Sequence, residues 1–375
     1  MRKRFKVAVF LIMIMSLLAF PACSGSQDKA SNENKKFDVN ADFNDILKQA
    51  KGTTVNFYGW GGDEQRNKWL DTVVAPALKE KYDIKLERVP MDIDQILAKL
   101  SGEKQAGSKE GSIDMIWING ENFYSAKENG LLFGPFSDKL PNYQKYIDTN
   151  ATENQNDFGY PIKGYEAPYG KAEMVLINNS AVTPETPKNT DELMEYVKKY
   201  PGKVTYPALP DFTGSAFVRN IIYDKVGYEQ FMNMKADKAT VKAAIQPALE
   251  YLRSLNPYLW NQGKSFPASS TEVTNMFSDG ELYMTMSYEP YSISVNIDKG
   301  IFPDTSRSFL FDKGMIGNTN YIAIAENSPH KAAAMVAINE ILSAEMQASQ
   351  FSKLKILPVV DYNKLSADEK IFLIR

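Results

Sequence analysis

The 375-residue chain carries a single histidine, His330, and a single cysteine, Cys23. His330 stands just before an apolar run, the place of a surface or helix-cap residue, and His-rich metal sites lack their ligands. Gly102 to Lys109 has four residues between its glycines but reads Gly107-Ser108-Lys109, which fails the phosphate-loop pattern. Ser101-Gly102-Glu103-Lys104 fits Ser-x-x-Lys, yet no Lys-Thr-Gly follows it. Asp63 and Glu64 are adjacent, whereas the paired carboxyls of a glycosidase flank a bond at ~5–9 Å. No catalytic residue, metal site or cofactor is expected, and the chain does not read as an enzyme.

The side chains that can do chemistry fall in loops. Trp60 sits among Gly59, Gly61 and Gly62, where glycine allows unusual backbone shapes and close approach of a ligand; a tight turn capping the core is the other reading. Asn119-Gly120-Glu121-Asn122 can meet a polar solute or cap the helix that follows. Thr213-Gly214-Ser215 opens a helix, and free N–H groups there make an anion site; plain N-capping by Thr213 or Asp211 is the alternative. Tyr288-Glu289-Pro290-Tyr291 places two tyrosines around one carboxylate, which suits a cation or an exposed hinge loop. Tyr169 and Trp260 are candidates for an aromatic wall.

These loops need elements to hold them. Thr53–Tyr58, Ile84–Val89 and Ile113–Ile118 read as strands, separated by helical spacing over Trp69–Leu78 and Ile93–Leu100. Pro76 is expected to kink the first of these helices. Glu173–Ile177, Lys203–Tyr206, Leu282–Met286 and Tyr321–Ala325 continue the strands. Phe217–Tyr223, Ala243–Leu255 and Lys331–Leu342 read as helices. Asn189 with Glu192 gives a capping-box-like start. Strands alternating with helices predict βαβ units and a parallel sheet. In such sheets ligands bind beyond the carboxyl ends of strands, where these loops lie. The apolar end Ile371–Ile374 reads as a last helix or as a sequence cut short.

Arg2, Lys3, Arg4 and Lys6 precede an apolar run from Val7 to Phe20. That run is shorter than the ~20 residues of a spanning helix and reads as an export signal. Residues 24–36 are polar and read as a tether. Removing residues 1–22 takes the net charge from −3 to −7, because the segment holds those four cations and no acid. A body so acidic has no electrostatic reason to bind nucleic acid.

Phe20-Pro21-Ala22-Cys23 resembles a bacterial lipobox, with Phe20 where Leu is usual, which implies lipidation of Cys23. Four further stretches resemble type II periplasmic solute-binding proteins of ABC importers. They are Pro168-Tyr169-Gly170 with Met174 to Asn179, Pro187 to Leu193, Phe277 to Leu282, and Asn320 to Ile324 with Ser328 to Ala333. Trp60-Gly61-Gly62-Asp63, Trp117 to Phe123, Pro210 to Phe217 and Gly317 to Asn320 look closest to the YnjB-type branch.

The resemblance implies an α/β, two-lobed type II periplasmic-binding-protein fold with two crossing hinge segments, near Gly164–Lys171 and Ser308–Gly317. The expected division is a signal peptide at 1–22, lipidated Cys23 and tether at 23–52, lobe one at 53–166 plus 316–350, and lobe two at 167–315 plus 351–375. The ligand-binding set expected is Trp60, Gly61, Asn119, Glu121, Tyr169, Thr213, Gly214, Ser215, Trp260, Tyr288, Glu289 and Asn320. The solute expected is small and polar: thiamine-like, polyamine-like or zwitterionic. The expected setting is an exported monomer, lipid-anchored on the outer face of the cytoplasmic membrane, serving an ABC permease with a separate ATPase. A surface lipoprotein that binds a protein partner is the alternative.

Overall fold

The structure, a computed structural model, describes residues 37–374 apart from Asp63. The export signal, Cys23, the polar tether of residues 24–36 and Asp63 therefore lie outside the described residues. From Asp38 onward the chain clusters as one unit.

The tether ends earlier than residue 52. Phe43, Ile46, Leu47 and Ala50 recur at helical spacing, and Phe43–Ala50 forms helix α1, with the Asp42 side chain accepting from the Asn44 N–H. Ile46 and Ala50 are buried, and the helix is held to the body.

Strand β1 (Thr54–Gly59) leads to α2 (Glu64–Trp69), α3 (Ala75–Tyr82), β2 (Lys85–Pro90), α4 (Ile93–Gln105), β3 (Met115–Ile118) and α5 (Gly120–Glu128). The irregularity expected at Pro76 takes the form of a π turn. The helical backbone runs on from α2 through this turn at Leu70–Val74 into α3, and the widened turn just before Pro76 accommodates the N–H the proline lacks. Then come β4 (Leu132–Phe133), α6 (Pro141–Tyr146), α7 (Thr152–Gln155), β5 (Asn156–Asp157), β6 (Tyr160–Pro161) and β7 (Glu166–Glu173).

The next part holds β8 (Val175–Asn179), α8 (Thr190–Lys199), α9 (Phe212–Val226), α10 (Lys238–Leu255), α11 (Ser270–Ser278), β9 (Met284–Ser287), α12 (Ser292–Asp298) and β10 (Ser306–Phe309). Asn189 caps α8 through the Glu192 N–H at 2.9 Å, but the Glu192 carboxylate turns to the Lys188 N–H, giving half a capping box. The chain closes with β11 (Gly317–Ala325), α13 (Lys331–Ile341), α14 (Ala344–Leu354) and α15 (Ala367–Ile374).

Two main sheets result. The first runs β2-β1-β3-β11-β4, with β7 also on β11. β1 is parallel to β2 and β3, and β11 is antiparallel to its neighbours. The second, β10-β8-β9, is antiparallel throughout, where the helix–strand alternation predicted parallel pairing. Lys203–Tyr206 is extended but joins no strand ladder. Its carbonyls serve single N–H groups, Tyr283 at Lys203 and Trp260 at Val204.

Successive β8 side chains feed two cores, as period 2 requires. Leu176 enters the cluster with α8, α9 and α10, and Val175 and Ile177 enter the one with Val273, Phe277 and Phe302. Along the first sheet, Ile116, Ile118, Phe123, Tyr321 and Ala323 form the matching core.

The chain passes from the first sheet to the second between Glu173 and Val175, and returns between Phe309 and Gly317. The first passage lies a few residues beyond the expected Gly164–Lys171, because β7 stays on β11 to Glu173. The tail after residue 350 was expected with the second part; it packs on the first. Val360 and Leu365 cluster with Tyr146 and Ala344, and Glu369 bonds Tyr146 and Lys145. The Lys171 N–H donates to the Leu357 carbonyl at 2.8 Å, so the tail also braces β7.

Candidate ligand-binding cleft

The loops beyond β1, β3 and β9 converge with the start of α9. A groove of about 720 Å³ lies among Asn119, Glu121, Tyr124, Asp157 and Phe158 on one wall and Phe212, Ser215 and Arg219 on the other. Two smaller hollows adjoin the same region. One, about 500 Å³, has Trp60, Arg66 and Glu289 in its lining. The other, about 300 Å³, has Thr213, Ser270, Tyr288 and Glu289. Trp60, Tyr124, Phe158 and Phe212 are each about half exposed, which is unusual for large apolar groups outside a binding surface.

The wall from α9 follows helix geometry. Ser215 and Arg219 are four residues apart and share one face with Phe212 in the first turn. Among the described residues the Arg219 guanidinium has no hydrogen bond or ion pair. Phe212 leans edge-on against Tyr288, with ring centres 4.8 Å apart.

The opposite wall rests on Asp157. This residue is buried, its Oδ2 accepts the Gly120 N–H at the start of α5, and its Oδ1 has no partner among the described residues. Burial pushes its carboxyl up to about 7. Glu166 lies behind it, fully buried, and burial with the Asp157 charge holds its carboxyl well above the usual range. Lys127 is near Glu166 but points its ammonium at the Pro161 and Ile162 carbonyls. Phe158 follows at φ 45°, a backbone shape costly for a bulky residue. Gly159 comes next at φ 85°, completing a turn that lifts the ring into the groove.

The expected ligand residues divide. Asn119, Glu121 and Ser215 line the large groove, and Trp60, Thr213, Tyr288 and Glu289 line its neighbours. Asn119 and Asn320 bond each other at 2.6 Å, so each has one polar group already engaged. Tyr169 is buried, edge-on to Trp69, and reaches only a small hole of about 20 Å³ shared with Trp60 and Trp117.

Four expectations need correction. Trp260 is not a cleft wall: its indole N–H donates to Glu281 at 2.6 Å, before β9, whereas the cleft loop follows β9 at the other end. The start of α9 is not an open anion site at Gly214, because Asp211 Oδ1 already accepts that N–H at 2.9 Å. The same carboxylate takes the Ser270 N–H at 3.1 Å and so caps α11 as well. Gly214 is there for space, since a Cβ would meet the Pro207 carbonyl oxygen at 2.2 Å. Tyr288 and Tyr291 do not flank Glu289 together; Tyr291 packs edge-on to Phe351, at 5.1 Å, away from Phe212. Gly61 and Gly62 need no positive φ. They are small because a Cβ would lie 2.5 Å from Pro90 and 2.2 Å from the Trp60 ring.

Asp157, Phe158, Phe212 and Arg219 were not among the expected residues. The Phe212-Ser215-Arg219 spacing was readable in the sequence. Asp157-Phe158-Gly159 was a turn signal inside a polar stretch, with nothing local to say which groove it would reach.

Comparison with known proteins gives the same picture. Residues 73–369 match the family described as bacterial extracellular solute-binding protein. Protein YnjB of Escherichia coli strain K12 is 37% identical over 309 residues, covering 82% of this chain and 79% of that protein. An ABC transporter structure from Clostridium perfringens aligns at TM-score 0.62 with 21% identity, over 85% of this chain and 89% of that one. The spermidine/putrescine ABC transporter substrate-binding protein PotD of Streptococcus pneumoniae aligns at 0.61 with 14% identity, over 85% and 87%. The fold shared with these structures is the two-lobed α/β fold of periplasmic binding proteins, and the family consists of solute-binding proteins, not enzymes.

Proposed function

The chain belongs to the bacterial extracellular solute-binding protein family, and on that premise we propose that it holds its solute in the groove between Asp157–Phe158 and α9. Proteins of this kind are exported, bind small molecules and deliver them to ABC permeases. The observation that carries the siting is the pair of exposed aromatics, Phe158 and Phe212, lining one groove from opposite walls.

The first lobe is taken as the body around the six-stranded sheet with the C-terminal tail, and the second as the body around β8, β9 and β10. The hinge segments are Glu173–Val175 and Leu310–Ile316. Solute contacts made from both walls stabilise a closed form, which docks on the permease. Cys23 is the proposed lipid anchor, holding a monomer on the outer face of the cytoplasmic membrane.

A thermal-shift screen of residues 24–375 tests the proposal, using thiamine compounds, polyamines, betaines, amino acids, sugars and oxyanions. A solute that binds only the folded state at ~100-fold excess over Kd adds roughly 2.7 kcal/mol. One chemical class raising the midpoint supports the proposal. A well-folded protein that no class shifts would favour a protein-binding lipoprotein. Mass spectrometry of the membrane fraction tests the anchor: a diacylglyceryl group on Cys23 supports it, and an unmodified or cleaved Cys23 opposes it.

A further inference from the structure

The two walls of the groove are chemically unlike. The wall built by α5 and β5 offers acceptors: Asp157 Oδ1, buried and unpartnered among the described residues, and the exposed Glu121 carboxylate. The α9 wall offers the cation Arg219, which has no hydrogen bond or ion pair among the described residues. Asp211, at the start of the same helix, is already used by two helix-start N–H groups. An acceptor left without a donor in a buried place costs ~1–3 kcal/mol, so a solute that donates to Asp157 recovers that energy on binding. Between the polar ends stand Phe158 and Phe212, and Phe158 is held there against its backbone preference.

This arrangement discriminates among solute classes. A polyamine would satisfy Asp157 but bring another ammonium toward Arg219. A simple oxyanion would pair with Arg219 but face Asp157 and Glu121. A sugar would leave both charges without a counterion. Resting on the reading that this groove takes the solute, we propose that the solute is a small dipolar molecule with a flat apolar body. Its cationic, hydrogen-bond-donating group goes to Asp157, its anionic group to Arg219, and its faces to Phe158 and Phe212.

The ion pair at Asp157 requires the carboxylate form. Burial holds that carboxyl up at about 7, so binding becomes weaker as pH falls from 8 to 6. The groups around Asp157 are Glu166 on β7, Lys127 on α5, Tyr321 on β11 and Tyr160 on β6, with Glu121 and Arg219 lining the groove. Glu166 is held protonated by its burial and Lys127 is turned to backbone carbonyls, so neither supplies a cation that would keep Asp157 ionised on its own.

Calorimetry on residues 24–375 tests the proposal with matched probes. The dipolar ring probes are L-tryptophan, 4-(aminomethyl)benzoate and pyridoxamine 5′-phosphate. The singly charged ones are tryptamine, indole-3-acetate, benzylamine and benzoate. Spermidine, maltose and sulfate complete the set. The expected result is that a dipolar probe binds at least tenfold tighter than its singly charged relatives. Arg219→Gln, a surface change, should remove the gain contributed by the anionic end. Asp157→Asn should remove the gain from the cationic end and flatten the pH profile, with its fold checked by circular dichroism and the melting midpoint. Tighter binding of a singly charged probe, spermidine, maltose or sulfate overturns the dipolar proposal and leaves solute binding intact. No binding by any probe overturns both.

Discussion

At the scale of single residues, Asp211 has the clearest structural task, because one carboxylate accepts from the first turns of α9 and α11. Replacing Asp211 with Ala removes two caps at ~0.5–2 kcal/mol each and should lower stability by about 1–3 kcal/mol in urea unfolding. Asn should recover only about half of that, since it keeps one acceptor oxygen and turns an NH2 toward the other N–H. Glu166 gives a prediction in pH. Its folded carboxyl is held well above the ordinary range by burial, and Asp157 is raised to about 7. Both therefore hold protons in the native state that the unfolded chain gives up near pH 4–4.5. Their contribution is full below that range and is lost as pH rises, by up to about 1.4 kcal/mol per pH unit for each group. Glu166→Gln should flatten the decline between pH 5 and pH 8, read from unfolding midpoints; an unchanged slope would show that Glu166 is ionised in the fold. Trp260 illustrates what residue type alone does not tell. An aromatic after a turn suits a ligand wall equally well as a wedge beneath one, and only the long-range bond to Glu281 decides it.

Elements were more legible than residues. β1, β2, β3 and β11 follow from apolar runs bounded by turn signals, and α4, α9, α10 and α13 from helical spacing. The misses have separate causes. Lys203–Tyr206 has strand-like residues, but its carbonyls take isolated partners, so no ladder forms. Helix α1 was hidden in a polar segment whose four apolar residues make one narrow stripe. The antiparallel second sheet depends on where the long α8–α11 excursion returns, which no local pattern encodes. Close approach of elements gives a further test at Gly170 on β7, where a Cβ would stand 2.5 Å from the Ile356 side chain. Gly170→Val should push the tail from β7 and cost ~1–3 kcal/mol. Amide exchange should then rise at Lys171, whose N–H bonds the Leu357 carbonyl. Protection unchanged there would mean the tail accommodates the side chain.

For the whole molecule, the family resemblance carried what periodicity could not: two lobes, a cleft between them and no catalytic chemistry. The proposed groove lies beyond the strand ends, where the candidate loops were expected, yet Asp157, Phe158, Phe212 and Arg219 in its lining were not among the expected residues. Asp157 is buried in part against Tyr321 of β11, more than a hundred residues later in the chain, and Arg219 becomes relevant only once α9 faces α5. Acid balance and exposed aromatics then make one account, in which the solute bridges the lobes and holds them shut. Small-angle scattering of residues 24–375, alone and saturated with the solute identified by thermal shift, tests that account most directly. A smaller radius of gyration at calorimetrically confirmed saturation is the predicted result. An unchanged radius at the same saturation would contradict closure around the groove.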